Sequence, residues 1–201
     1  MKNTLLMRTE ASHSLNFLIY IQNIFLNRSQ SKNELKFPYI PTKCEFRKDF
    51  DMRYRELWEE VSKRISEHPI NDLEIFTKEK NLFYQSLFAE NDDTLNEFDE
   101  IYQSFKTWWG SFAGHIAIER SIDENLQDIY LGLANLLTEK GLKPQKELNI
   151  SLIYKELNIS LIYDECLLVD LEPSSYFAIL SIRDCFVNSK ELNKKLQASI
   201  Y

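Results

Sequence analysis

The stretch TWWGSFAGHIAIER, residues 107–120, holds the residue types best suited to chemistry. His115 and Glu119 stand four apart, so on a helix their imidazole and carboxylate can touch, and the carboxylate would favour the charged imidazole. Trp108 and Phe112, also four apart, would floor a pocket with that pair at its rim. This gives one candidate small-ligand site, made of Trp108, Phe112, His115 and Glu119. A plainer reading competes with it. Two stripes overlap there: Phe98, Tyr102, Phe105, Trp109, Phe112 and Ile116, and Ile101, Phe105, Trp108, Phe112, His115 and Glu119. Together they make an arc too wide for an ordinary surface helix. A central core helix with a satisfied histidine is therefore preferred. Gly110 and Gly114, one turn apart, would let another backbone come close.

Other chemistries fail on spacing. Gly110-Ser111-Phe-Ala-Gly114 is no nucleophile elbow, because the serine is misplaced and no strand precedes it. No glycine loop for phosphate or dinucleotide occurs. Glu10 and His13 show the E-x-x-H spacing of a di-iron helix, but only once. His13, His68 and His115 are the only histidines, so a multi-histidine metal site would need all three to converge. Glu90-Asn-Asp-Asp93 lacks the glycine and last glutamate of a calcium loop and reads as a helix-capping turn. Cys44, Cys166 and Cys185 form no C-x-x-C pair, which fits reduced thiols rather than a disulfide framework or zinc site. Asp184 beside Cys185 disfavours a thiolate there. No catalytic residue, metal or cofactor is expected.

A basic patch lies in CEFRKDFDMRYRELW, where Arg47, Lys48, Arg53 and Arg55 interleave with Phe46, Phe50, Tyr54 and Trp58. Such interleaving can bind single-stranded nucleic acid. The aromatics recur every four residues, however, which is a core stripe. Asp49, Asp51, Glu56, Glu59 and Glu60 neutralise the cations, so a solvated helix with local ion pairs is expected.

The 201 residues are 44% hydrophobic and 13% aromatic, enough for a proper core. With 24 Lys and Arg against 31 Asp and Glu, the net charge is −7. That field opposes nucleic acid and anionic lipid and would favour a basic partner. The N-terminal run SLNFLIYIQNIFL is too short and too polar to span a bilayer, and no cleavage site follows it. Its i, i+3, i+4 spacing predicts a core helix over 14–27. Three matches to the glycosylation acceptor pattern, at Asn27, Asn149 and Asn158, then read as coincidental.

Pro38 and Pro41 impose extended backbone after that helix. Four more helices are predicted: from Asp49 or Asp51 to His68, from Asn71 to about Ala89, from Thr94 to about Ile118, and from Ser121 to Lys140. Asn71 with Glu74, Thr94 with Glu97 and Ser121 with Glu124 have capping-box spacing. After Pro144 the texture becomes β-branched: NISLIY twice, CLLVDL, YFAILSI, then a closing helix in SKELNKKLQASIY. The fold expected is α+β and predominantly helical. A bundle of about five helices fills 1–145, and a small β-rich part with the closing helix fills 146–201, packed as one domain.

Residues 146–163 repeat KELNISLIY twice without a gap. Nine is odd, so a second copy in one continuous strand would turn its side chains to the opposite face, and one in a helix would do the same. The duplication reads as a recent scar at an element edge rather than a repeat architecture.

With no catalytic constellation, an acidic charge and aromatic-rich helices, the leading expectation is a non-enzymatic cytosolic interaction module of immunity, inhibitor or adaptor type. The Asn/Lys/Ile-rich composition suggests a bacterial, AT-rich genome. The partner expected is another, basic protein, with homodimerisation open and neither nucleic acid nor membrane. The alternative is a small-ligand binder or enzyme using Trp108, Phe112, His115 and Glu119.

Overall fold

The computed structural model describes residues 5–31, 34–139, 147–154, 169–171 and 175–181. They form two compact units, one of residues 13–114 and one of residues 1–12 with 115–201.

The unit 13–114 is helical and is built around α1 (His13–Asn27). Every residue from Ser14 to Ile24 is buried, so the apolar run read as a core helix is enclosed on all sides. Phe17 is its hub. That ring lies 5.6 Å from Phe76, 5.1 Å from Phe83, 5.5 Å from Tyr102 and 5.0 Å from Phe105, with edge-on geometry in three of the four pairs. Asn27 uses its amide on the chain that follows: Nδ2 donates to the Lys36 carbonyl at 2.7 Å, and Oδ1 accepts the Lys36 N–H at 2.7 Å. Asn23 Nδ2 donates to the Phe37 carbonyl in the same way. The Phe37–Pro38 peptide is cis.

Helix α2 (Phe50–Glu67) buries Phe50, Tyr54, Leu57, Trp58, Val61 and Ile65, the stripe seen in the sequence. Asp49 stands at its N-cap without a capping bond, because its carboxylate holds Arg53 Nε at 3.0 Å instead. The next predicted helix is two, α3 (Ile70–Lys78) and α4 (Lys80–Leu87), parted at Glu79. Glu79 accepts both guanidinium nitrogens of Arg64, at 2.9 and 2.5 Å. Asn71 is no N-cap; its amide donates to the Arg64 carbonyl at 2.6 Å.

Helix α5 (Asp92–Trp109) begins with Asn91, whose side chain accepts the Thr94 N–H at 2.8 Å. It stops nine residues short of Ile118. Gly110 ends it, and a kinked turn (Phe112–Ile116), with non-helical backbone at Gly114 (φ −97°, ψ −117°), follows before the short α6 (Ala117–Arg120). Two glycines with low helix propensity fall here. At Gly114 a Cβ would overlap the Trp108 carbonyl oxygen and lie 2.7 Å from Trp109 Cα. The close backbone approach permitted by glycine is therefore made by this chain's own preceding turn.

The other unit carries α6, α7 (Asp123–Glu139) and a four-stranded sheet, ordered β1 (Met7–Ala11), β2 (Glu147–Ile153), β4 (Ser175–Ser181), β3 (Val169–Leu171). Strands β1, β2 and β4 are parallel and β3 is antiparallel to β4. Central β2 is the first KELNISLIY copy, and it buries Leu148, Ile150, Ser151, Leu152 and Ile153, residues of both faces. Helix α6 packs on β1 and β2, and Tyr130 of α7 donates its hydroxyl to the Leu5 carbonyl at 3.4 Å. The second repeat copy, Cys166, Cys185 and the predicted closing helix lie outside the described residues. The chain is thus mostly helical with a small sheet. Its sheet includes an N-terminal strand that the sequence reading did not contain.

Candidate functional site

Two of the four residues singled out in the sequence meet. His115 Nε2 lies 3.2 Å from Glu119 Oε1, with both side chains partly exposed. Both belong to the unit that carries the sheet. Trp108 and Phe112 belong to the unit 13–114. Trp108 is half-buried there, 4.9 Å from Phe37 and stacked on Tyr20 at 5.9 Å. Phe112 is 82% exposed, so it is not part of the core that the width of its apolar arc predicts.

A second constellation lies wholly within the unit 13–114. A groove of about 430 Å³ runs between the extended segment 40–43 and one face of α5. Its walls carry Thr42 and Lys43 from the segment, and Glu97, Glu100, Ile101 and Ser104 from the helix. The helical residues recur at i, i+3, i+4 and i+7, one face of one element. The volume lies within the ordinary range for small-molecule sites.

The segment is stitched to the helix at two points one turn apart. The Cys44 thiol donates to the Thr94 carbonyl at 3.9 Å, and the Thr42 hydroxyl donates to Glu97 Oε2 at 2.6 Å. The Thr42 oxygen also accepts the Cys44 N–H at 3.0 Å. Two further backbone bonds tie the segment's continuation to the end of α4, Arg47 N–H to Leu87 and Ala89 N–H to Glu45. At the other end of the groove the Ser104 hydroxyl pairs with Tyr20 at 3.0 Å. Burial holds the Tyr20 phenol above its usual range.

Charge on this wall is mixed. Two carboxylates, Glu97 and Glu100, and one ammonium, Lys43, belong to residues that line it. Cys44 is no nucleophile for this site. It is 1% exposed, and burial first, then the Glu97 carboxylate, push its thiol up to about 12. Among the described residues no group of three or more His, Cys, Asp and Glu could hold a metal ion. No helix among them is long and apolar enough to cross a membrane.

Reading the sequence missed Thr42, Lys43, Glu97, Glu100 and Ser104. Their signal was the polar row Glu97, Glu100, Ser104 on a helix whose opposite face is core. Glu97 was instead assigned to a capping box with Thr94, a role that Asn91 fills. The basic patch at 47–58 is occupied by ion pairs: Arg47 with Asp49 and Glu90, Arg53 with Asp49 and Glu56.

No curated protein and no solved structure matches the chain. A family model described as rhaM: L-rhamnose mutarotase matches residues 40–129, under half of the chain. The matched span contains the whole groove, and also Trp108, Phe112, His115 and Glu119. The match overturns the expectation of a non-enzymatic interaction module and its protein-binding character, because the family it points to is enzymatic. The physical reason is that missing local motifs do not exclude an active site. Here Thr42 and Glu97, 55 residues apart, meet only in the fold.

Proposed function

We propose that this chain binds a small reducing sugar in the groove between residues 40–43 and α5 and interconverts its anomers. The observation that carries the reading is the match of residues 40–129 to the L-rhamnose mutarotase model, a span that includes every residue of the groove. The groove's chemistry agrees with the task. Mutarotation of a pyranose needs a base to take the proton from the anomeric O1–H and an acid to protonate the ring oxygen as the C1–O5 bond breaks. The open-chain aldehyde then turns about C1–C2, and O5 adds to the other face of C1 with the two proton transfers reversed. No cofactor enters this balance. Glu97 and Glu100 supply carboxylates to act as base, and the Lys43 ammonium supplies a proton donor. Ile40, Pro41 and Ile101 give the apolar wall on which a sugar's C–H face packs.

The test is the approach of freshly dissolved α-L-rhamnose to anomeric equilibrium, followed by NMR with and without protein. The wild-type chain should accelerate it, and Glu97→Gln and Glu100→Gln should each lower the catalysed rate, the more important one by about 10²-fold. Equal rates with and without protein would sink the reading.

A second reading rests on the 3.2 Å contact of His115 with Glu119, an imidazole and a carboxylate within hydrogen-bond reach of each other. It makes that pair the acid–base group of the same reaction. Loss of catalysis in His115→Gln, with the Glu97 and Glu100 variants unchanged, would move the chemistry there.

A further inference from the structure

Thr42 makes two hydrogen bonds that fix the direction of its hydroxyl. Its oxygen accepts the backbone N–H of Cys44 at 3.0 Å, and its proton goes to Glu97 Oε2 at 2.6 Å. The residue that anchors it is immobilised in turn, since Cys44 is 1% exposed and its thiol reaches the Thr94 carbonyl on α5. Glu97 is half-buried, and Oε2 is committed to this bond, so Oε1 is the oxygen left to receive a proton or a donor from the groove. A glutamate side chain has three rotatable bonds, and without such a tether both oxygens would sample many positions along the helix face.

We propose that Thr42 is a positioning residue, whose hydroxyl holds the Glu97 carboxylate in the single orientation that presents Oε1 to a ligand in the groove. The proposal rests on the reading of the groove as the sugar site. It goes beyond that reading in assigning a role to a residue that touches no reacting atom. Misplacing a proton-transfer group by even a fraction of an ångström is costly, so loss of the tether should act on turnover more than on binding.

The experiment compares Thr42→Val, which keeps the shape and removes the hydroxyl, with Thr42→Ser, which keeps the hydroxyl. Each is made in the full chain and in the Glu97→Gln background. For anomer exchange of L-rhamnose, Thr42→Val should lower kcat by about tenfold and leave KM within about twofold, while Thr42→Ser stays within about threefold of wild type. In the Glu97→Gln background Thr42→Val should add no further loss, because the two residues act through one contact. A full loss that persists in that background, or a Thr42→Val enzyme equal to wild type, overturns the proposal. A readout without substrate separates this from failure of the sugar reading. The ¹³C signal of the Glu97 carboxyl, identified by its disappearance in Glu97→Gln, should move in Thr42→Val and stay in place in Thr42→Ser. A chain that fails to accelerate anomer exchange yet shows this shift retains the tether and loses the sugar. An unmoved signal removes the tether, whatever the sugar does.

Discussion

The carboxylate of Asp72 accepts the backbone N–H of Ser14 at 2.9 Å, although 58 residues separate them. Its second oxygen accepts the His13 N–H at 2.6 Å and lies 3.5 Å from His13 Nδ1, while the Asp72 carbonyl receives the Ser14 hydroxyl. The first turn of α1 is thus held from α3, through a side chain far away in sequence. His13 also rests between Phe76 and Trp109, at 5.7 and 5.4 Å.

That arrangement makes Asp72 a strong stability position. It is 7% exposed, and truncation strands two N–H groups of a buried helix end. Asp72→Ala should cost about 2–3 kcal/mol in urea or guanidinium unfolding, and Asp72→Asn about half as much, because the amide keeps one acceptor. Equal stability of all three proteins would show that the cap is not holding α1.

Gly114→Ala should be more damaging than its small volume suggests. The new methyl would overlap the Trp108 carbonyl and crowd Trp109 Cα, both backbone atoms that cannot rotate away. A loss of about 2 kcal/mol or more is expected, against about 1 kcal/mol or less for Ala113→Gly, an exposed control in the same turn. Thermal unfolding of the pair of variants decides it.

The Arg64–Glu79 pair predicts a modest acid sensitivity. Its hydrogen bond from Arg64 holds the Glu79 carboxyl below the ordinary glutamate range. A carboxyl depressed in the folded state stabilises fully above its unfolded value, near pH 4–5, and that contribution fades as pH falls through the folded value. Both groups are partly exposed, so the whole effect should be under about 1 kcal/mol. Glu79→Gln should flatten this part of the stability–pH curve and leave the curve above about pH 6 parallel to wild type.

Cys44 should resist thiol reagents in the folded protein. Its thiol is raised to about 12 and buried, so at pH 8 almost no thiolate is exposed. Alkylation by iodoacetamide, followed on the Cys44 peptide by mass spectrometry, should rise only in denaturant and track the unfolding curve. Rapid modification without denaturant would mean that the 40–46 segment opens readily from α5.

How far the sequence carried differs from element to element. Helix α1 was legible because its apolar spacing and its flanking polar residues agreed, and the observed His13–Asn27 differs by one residue. The end of α5 was not, since the apolar spacing runs unbroken across Gly110 while the backbone does not. Strand β1 was missed because MRTEA is short, and its outward residues Arg8 and Glu10 are charged and exposed. Its partner is β2, with Met7 opposite Leu148, and no local window contains both. The i, i+4 contact of His115 with Glu119 was readable from spacing alone. The groove was not, because its walls come from segments whose pairing only the fold reveals. Of Glu97's two possible roles, the capping box was the one visible in local sequence.

The pairing of Met7 with Leu148 also orders events during synthesis. The unit 13–114 is one continuous stretch of chain and is complete long before residue 148 leaves the ribosome. Strand β1 is made before that unit and must wait for its neighbour while more than a hundred residues emerge behind it. In that interval it is an unpaired strand on a nascent chain, and the charged Arg8 and Glu10 along it are the residues that would keep it from joining the strands of neighbouring chains on the same message.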